Sequence, residues 1–439
     1  MNFSGWNSSY DGNPIPEDQM QEWLENTIRL IHRIRPKKVL EVGCGTGLIV
    51  NRIAPLTDLY YAMDISEEAI SLLSTIHADI LNKSLILEIR EAKDFSGVPD
   101  ENFDLVIINS VAQYFPNRNY FLEVIHSSVR ALKGNGAILI GDVRDLSLLE
   151  EFHLSVILYR NQEKECSVSE LKSKLAIAMM EEHELCVHPN FFYSLSNIYP
   201  NLSKVEILPK QMKATNELSK FRYDVILTFG EMKQPVRTVD KWVDLSQRTE
   251  GMSVREALVE LLETSKSPIA VTNIPLERTA PDIESLKMLR QAADNITWKE
   301  LIQQIEGHDG IDSIELIELA QKYGKSVQLI YCGDGLMRAI FDEIQFSCFY
   351  DFEPDDMEKE EKFFNTPASQ VDSLALKLKK FCQSKLPEYM VPDYFLPINA
   401  IPLNANGKVD RSKLPLPKAR VLNNRGESEE LEELTELQI

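Results

Sequence analysis

The chain has 439 residues with a formal net charge of −21, is 44% hydrophobic and 26% charged, and carries six cysteines, none of them in a CxxC pair. That length exceeds what one ordinary core fills and fits two or three domains, and the composition is that of a folded globular protein rather than a disordered or fibrous one. The negative field repels nucleic-acid phosphates and anionic membranes, the scattered cysteines argue against a disulfide framework or zinc site and for a reducing, cytoplasmic setting, and no apolar run offers a membrane span.

The opening GWNSSYDGNPIPEDQ is polar and turn-rich, with Trp6, Tyr10, Gly12 and Pro14 in no regular pattern. It suits a lid over a site, a disordered terminus being the plain alternative. MQEWLENTIRLIHRI then sets Trp23, Ile28, Leu30 and Ile31 on one helical face, so residues 1–35 read as a lid and lead-in helix. Between 36 and 235, the apolar strands KKVLEV, DLYYAMD, LILEIRE, FDLVIINS and GAILIGD alternate with helical patterns, which predicts an α/β fold with a parallel sheet covered on both faces. A helix over SVSELKSKLAIAMMEEHEL and the strands KVEILP and FRYDVILTFG close this core.

A second, smaller α/β lobe is expected over residues 241–352, from the helices SVREALVELLETSK and TWKELIQQIEG and the strands PIAVTNIP and SVQLIYCG. Polar, charged joints mark its ends. An amphipathic helix, VDSLALKLKKFCQSKLPEYMVP, and a proline-rich extended piece occupy residues 366–418, and residues 419–439 form a glutamate-rich tail with no core of its own.

VLEVGCGTGLIV puts Gly43, Gly45 and Gly47 where a buried strand turns into a helix, the place where open α/β sheets bind ligands. Glycine is costly inside either element, so three together imply that a ligand lies against the backbone. Glu41 just before the turn would repel a pyrophosphate and suits a cationic or zwitterionic ligand with an amino group. Asp64 closes the second strand, the position from which an acid accepts both hydroxyls of an adenosine ribose; a turn former is the alternative. Asp94 and Phe95 follow the third strand and are placed to hold an adenine by a hydrogen bond and a ring contact, with core packing the alternative for Phe95. Asn109 and Ser110 end the fourth strand at the same crevice, with a cap the alternative for Asn109. No metal-ligand set stands out.

EVGCGTG followed by Asp64, Asp94 and FDLVIINSV resembles the class I methyltransferases that use S-adenosylmethionine. The resemblance implies a Rossmann-like sheet on which Glu41 and the glycine turn meet the methionine moiety, Asp64 the ribose, and Asp94 and Phe95 the adenine, with S-adenosylhomocysteine as product. A narrower resemblance covers more of the chain: GWNSSYDGNPIPEDQMQEW, INSVAQYFP, CVHPNFF and NELSKFRYDVIL are similar to methyltransferase domains inserted into adenylation domains of nonribosomal peptide synthetases. LPEYMVP and LNANGKVDRSKLP resemble the closing motifs of an adenylation domain, with Lys408 at that family's catalytic lysine, and ESEELEELTELQI resembles the lead-in to a peptidyl carrier domain. Residues 366–418 are thereby an adenylation-type remnant. The large part of an adenylation domain is absent, so adenylation by this chain alone is not expected. The arrangement implied is an excised fragment or a module with a vestigial remnant.

The activity implied is methylation of the α-amine of a carrier-tethered aminoacyl thioester, with a phosphopantetheinyl carrier protein and neighbouring synthetase domains as partners. Such an amine is partly neutral near neutral pH, so a polar acceptor that orients it suffices. An alcohol or enol oxygen needs a base, commonly a His with a carboxylate partner. The candidates for orienting or deprotonating are Glu217, Tyr10 and the pair His183 with Glu184, and the candidate substrate contacts are Gln113, Tyr114, Asn216 and Arg222. A structural salt bridge is the alternative for Arg222, and an ordinary histidine for His183 and His188. Relatives carry an acid where His188 stands and often a His at Thr215, so the resemblance names no base here. An O-methyltransferase acting on a hydroxyacyl or ketoacyl carrier and a noncatalytic structural domain are the competing readings.

Overall fold

The computed structural model describes residues 3, 5–81, 83–161, 166–231, 236–237, 239, 241–249, 251–266, 268–293, 296–299, 309–343, 349–350 and 363–368, with isolated positions between 378 and 395. The chain divides into two compact units, Met1–Ala368 and Ser369–Ile439. Lys408 with LNANGKVDRSKLP, most of LPEYMVP and the glutamate-rich tail lie outside the described residues, as does most of TWKELIQQIEG.

Helix α1 (Glu17–Ile34) buries Met20, Trp23, Leu24, Ile28, Leu30 and Ile31 on one face and stops at Arg35, which turns left-handed directly before Pro36. The seven strands that follow are β1 (Lys38–Val42), β2 (Leu59–Asp64), β3 (Leu85–Ile89), β4 (Phe103–Asn109), β5 (Leu132–Arg144), β6 (Leu202–Pro209) and β7 (Arg222–Phe229). They form one sheet in the order β3-β2-β1-β4-β5-β7-β6. The first five run parallel, while β7 enters antiparallel between β5 and β6. β1 and β4 are buried along nearly their whole length, which is why they read as unbroken apolar runs. The strand order reverses between β1 and β4, so the ligand crevice of such a sheet opens at their carboxyl ends.

The helices of this layer start on side-chain caps that the sequence supplies. Ser66 caps α3 (Glu67–Ile76), Asn117 caps α4 (Arg118–Ala131), and Ser167 with Glu170 forms a capping box on α6 (Val168–Met180). The short helix α2 (Val50–Ile53) follows the glycine turn, and α7 (Asn190–Ser194) and α8 (Glu217–Lys220) precede β6 and β7. Two features differ from expectation. Helix α6 ends at Met180 instead of running to Leu185, because the next residues are drawn into extended contacts: Leu185 N–H donates to the Gln113 carbonyl (2.7 Å) and Val187 N–H to that of Arg144 (2.9 Å). A further helix, α5 (Leu149–Arg160), went unread in the sequence. It packs against α6 and a helix of the second lobe at once, so its apolar residues do not form one clean stripe.

In the second lobe the strands Lys325–Gly333, Leu336–Glu343, Ile269–Pro275 and Trp242–Asp244 pair in that order, with helices Val254–Thr264, Ala280–Gln291 and Ser313–Lys322. This lobe is not independently cored. Leu258, Val271 and Phe341 belong to the same apolar cluster as Leu40, Ile108 and Val225 of the large sheet.

Candidate active site

At the carboxyl end of β1 the backbone reverses sharply, with Gly43, Gly45 and Gly47 at φ values of 75°, 51° and 82°. A Cβ on Gly43 would collide with Val111, and one on Gly47 with Leu73, so these two are small because the fold packs on them. Gly45 is different: a Cβ there would meet nothing within 4 Å. Its flank is open, and its N–H donates to Asp64 Oδ2 (2.7 Å) while Asp64 Oδ1 accepts from Ser66 N–H (2.8 Å). Asp64 thus stitches the turn to the end of β2 and retains lone pairs for further donors. Glu41 beneath the turn is buried and accepts from the Tyr60 hydroxyl (2.6 Å). Burial, countered only in part by that hydrogen bond and reinforced by the negative charge of Asp64, pushes its carboxyl up to about 8.

A cavity of about 780 Å³ lies in the same unit, and no residue of the glycine turn lines it. It begins at Ser110, the neighbour of the Val111 that packs on Gly43, and continues past Gln113 to α5 and the segment after α6. Here Arg144 bridges two carboxylates, Glu182 Oε2 (2.9 Å) and Glu184 Oε2 (2.9 Å). His153 Nε2 lies 3.1 Å from the same Glu182 oxygen. Burial alone would raise the Glu182 carboxyl, but His153 and Arg144 outweigh it and hold the group down to about 2. A His–carboxylate pair on a cavity wall is a device for taking a proton.

The opening segment closes one side of this cavity. Glu217 receives Ser9 N–H (2.8 Å) and the Ser9 hydroxyl (2.8 Å), while the Arg160 guanidinium donates to the carbonyls of Ser9 (2.5 Å) and Tyr10 (3.1 Å). Below the floor, a buried ionic network joins α1, β5 and β7 with the residues that directly follow β4 and β6. Asp142 accepts from Trp23 Nε1 (3.0 Å), Ser110 Oγ (2.6 Å) and Arg222 (2.6 Å) and lies 3.2 Å from Lys210 Nζ, which also meets Asp224 (2.7 Å). Burial works against ionisation of Asp142, yet the two cations hold its carboxyl well below the usual range.

Residues 35–218 match the family described as methyltransferase domain. Over 95% of its length the chain is 35% identical to part of chondramide synthase from Chondromyces crocatus, of which it spans 11%. It is 34% identical over 94% of its length to nonribosomal peptide synthetase kk1B from Curvularia clavata, spanning 3% of that protein, and 32% identical over 94% to nonribosomal peptide synthetase penN from Penicillium thymicola, spanning 16%. Residues 35–218 thus carry a methyltransferase domain, and nearly the whole chain is similar to short stretches of nonribosomal peptide synthetases. Among solved structures, N-methyltransferase NodS from Bradyrhizobium japonicum is similar over 49% of this methyltransferase and 98% of its own chain, at 16% identity and a TM-score of 0.33.

Several expected site residues of the methyltransferase hold other posts. Asn216 caps α8 through Leu218 N–H and Ser219 N–H and donates to Gln19 (2.7 Å), so its side chain is spent away from the cavity. The Tyr10 hydroxyl is hydrogen-bonded to Ser155 Oγ (2.9 Å), its ring sits edge-on to Tyr159, and burial drives its pKa upward, which removes it as a base. Glu217 lines the cavity but holds Ser9 with both oxygens. His183 lines the cavity from an exposed position, yet its expected partner Glu184 is engaged by Arg144, and the pair that forms is His153 with Glu182. His188 accepts from Asn190 N–H (3.1 Å) through Nδ1.

Arg222 lines the cavity and is tied to Asp142, the salt bridge weighed as its alternative. Gln113 and Tyr114 both line the cavity, Tyr114 with 71% of its surface exposed. Phe95 is packed in the apolar core, and Asp94 is exposed beside Ser96 and Arg90. The side chain of Asn109 turns from the crevice toward Thr27 (3.4 Å) and Gly141, leaving the crevice to Ser110. Two residues went unnoticed near the turn. Ile65, directly after Asp64, leaves 75% of its surface exposed, an apolar platform beside the acid, and Tyr60 is the partner of Glu41. The available signal for Ile65 was its place between the acid that closes β2 and the cap Ser66 of α3, where an apolar residue has no core to enter.

Proposed function

We propose that this chain transfers the methyl group of S-adenosylmethionine to the α-amine of an aminoacyl group tethered to a carrier protein, with adjoining synthetase domains presenting that carrier. The residues present fit the cofactor. Buried Glu41, protonated for want of a cation, suits an ammonium group; the open flank of Gly45 admits a ligand against the backbone; Asp64 has acceptors for ribose hydroxyls; Ile65 and the Asp94 loop offer an apolar face and an acid for a base. When bound, the cofactor supplies an electrophilic methyl group.

The chain's own contribution is alignment and proton handling. The lid segment latched by Glu217 and Arg160 excludes water from the cavity. Ser110 lines the cavity and adjoins Val111, which packs on Gly43, so an acceptor lodged there faces the side on which the glycine turn lies. His153, braced by Glu182, takes the proton that the amine gives up. The observation that carries the reading is the His–carboxylate pair and the buried acceptors that line one cavity, whose Ser110 wall adjoins the Val111 that packs on Gly43.

The same pair supports a second reading, O-methylation of a hydroxyacyl carrier, because an alcohol needs a base more than an amine does. Intact-protein mass spectrometry of aminoacyl-, hydroxyacyl- and ketoacyl-loaded carriers, each incubated with the chain and the methyl donor, separates the two. Gain of one CH2 unit on aminoacyl carriers supports the amine; gain on hydroxyacyl carriers alone overturns it.

A further inference from the structure

We infer that Ser110 and Gln113 form a two-acceptor clamp that recognises a primary amine by both of its N–H bonds. The inference rests on the amine reading above and goes beyond it by naming the groups that make the choice. Gln113 is 3% exposed and lines the cavity, and its Oε1 has no hydrogen-bond partner. A buried carbonyl oxygen left without a donor is costly to the fold unless a ligand supplies one.

Ser110 is made into an acceptor by a different route. Its hydroxyl hydrogen goes to Asp142 Oδ2 (2.6 Å), and an ionised Asp142 can only accept, so the Ser110 lone pairs are what remains for the cavity. Asp142 stays ionised because Arg222 and Lys210 flank it. Both residues are fixed by the backbone. Ser110 sits at a left-handed φ of 56° with its N–H on the Gly141 carbonyl (3.1 Å), and the 3-10 turn Ala112–Tyr114 that carries Gln113 is braced by Leu185 N–H on the Gln113 carbonyl (2.7 Å).

A neutral primary amine carries two N–H bonds and one lone pair. Two fixed acceptors that take both hydrogens stop rotation about the C–N bond and leave the lone pair a single direction. A ketone or carboxylate has no hydrogen to donate here, and an alcohol satisfies only one acceptor, so each leaves a buried oxygen unpaired. A secondary amine also satisfies only one, so the clamp releases a methylated product.

The test uses the full chain and two synthetic probes: pantetheine carrying an alanyl group through an amide in place of the thioester, and its propionyl counterpart, which lacks the amine. Calorimetric titration of the wild type is expected to favour the alanyl probe by about tenfold or more, the worth of one to two buried hydrogen bonds. Gln113→Leu and Ser110→Ala should each erase most of that preference while leaving propionyl affinity and S-adenosylhomocysteine affinity within about twofold, and Gln113→Glu, which keeps an acceptor, should retain it. Equal loss for both probes, or a preference that survives Gln113→Leu, overturns the clamp. If carriers bearing amines are never methylated while the preference and its loss are both seen, the clamp stands and the proposed reaction falls. If they are methylated and the preference is absent, the reverse holds.

Discussion

Replacing Asp142 with Asn tests whether the buried network beneath the cavity is a set of charges or merely a set of hydrogen bonds. Asp142 is wholly buried and serves three donors and a nearby ammonium. With Asp142 and Asp224 facing Lys210 and Arg222, the four charges balance. Asp142→Asn preserves shape but leaves one buried cation without a counter-charge, which costs about 3–5 kcal/mol. It also turns one acceptor into a donor facing a donor, adding about 1 kcal/mol, so a total of roughly 4–6 kcal/mol is expected.

Urea unfolding followed by tryptophan fluorescence, to which Trp23, a donor to Asp142, contributes, reads the loss. The double variant Asp142→Asn with Arg222→Met should lose less than the two single changes added together, because it removes both members of a pair. The Asp142 carboxyl is depressed in the folded state, so its contribution is complete above the ordinary carboxylate range and fades as pH falls below it. The gap between wild type and Asn variant must therefore narrow below about pH 4. A loss under about 1 kcal/mol at neutral pH would show that the charges do not matter and refute the reasoning.

Gly45→Ala should lower the thermal midpoint only slightly, by the ~1 kcal/mol that a left-handed alanine costs, yet weaken S-adenosylhomocysteine binding tenfold or more in calorimetry by filling the open flank. Gly43→Ala should do the opposite in emphasis, with a larger drop in thermal midpoint from its collision with Val111. Glu41 keeps its proton up to about pH 8 when folded and gives it up near the ordinary value when unfolded. Its term in stability therefore declines as pH rises between those values, and Glu41→Gln should flatten that limb in pH-dependent denaturation. A cationic ligand should displace the Glu41 proton, so titration in buffers of differing ionisation heat should show proton release below pH 8 that the Gln variant lacks. His153→Gln should lower kcat by about 10²- to 10⁴-fold near neutral pH, with partial recovery in alkaline buffer where solvent takes the proton; an unchanged pH–rate profile would dismiss His153.

Much of the large sheet was legible because its determinants are local. An apolar run such as FDLVIIN is a central strand whatever surrounds it, and the interval from the glycine turn to Asp64 follows from one strand–helix–strand unit. Ser66, Asn117 and Ser167 announce their helices in the same way. The cavity was a different matter. His153 and Glu182 are far apart in the chain and meet only because α5 packs against α6 and the segment after α6 bends back to pair with Gln113 and Arg144.

Spacing pointed to the neighbours His183 and Glu184, but Arg144 claims the glutamate. In the same fashion, Glu217 and Tyr10 looked reactive as residue types and proved to be fasteners of the opening segment, because hydrogen-bond partners are assigned by proximity in space. The sequence by itself determined the sheet, its glycine turn and the acid at the end of β2, all written in patterns a few residues long. Which polar groups are satisfied and which are left waiting for a ligand was decided only by the tertiary structure, since the energy of a buried charge or donor depends on atoms that the chain brings together from distant positions.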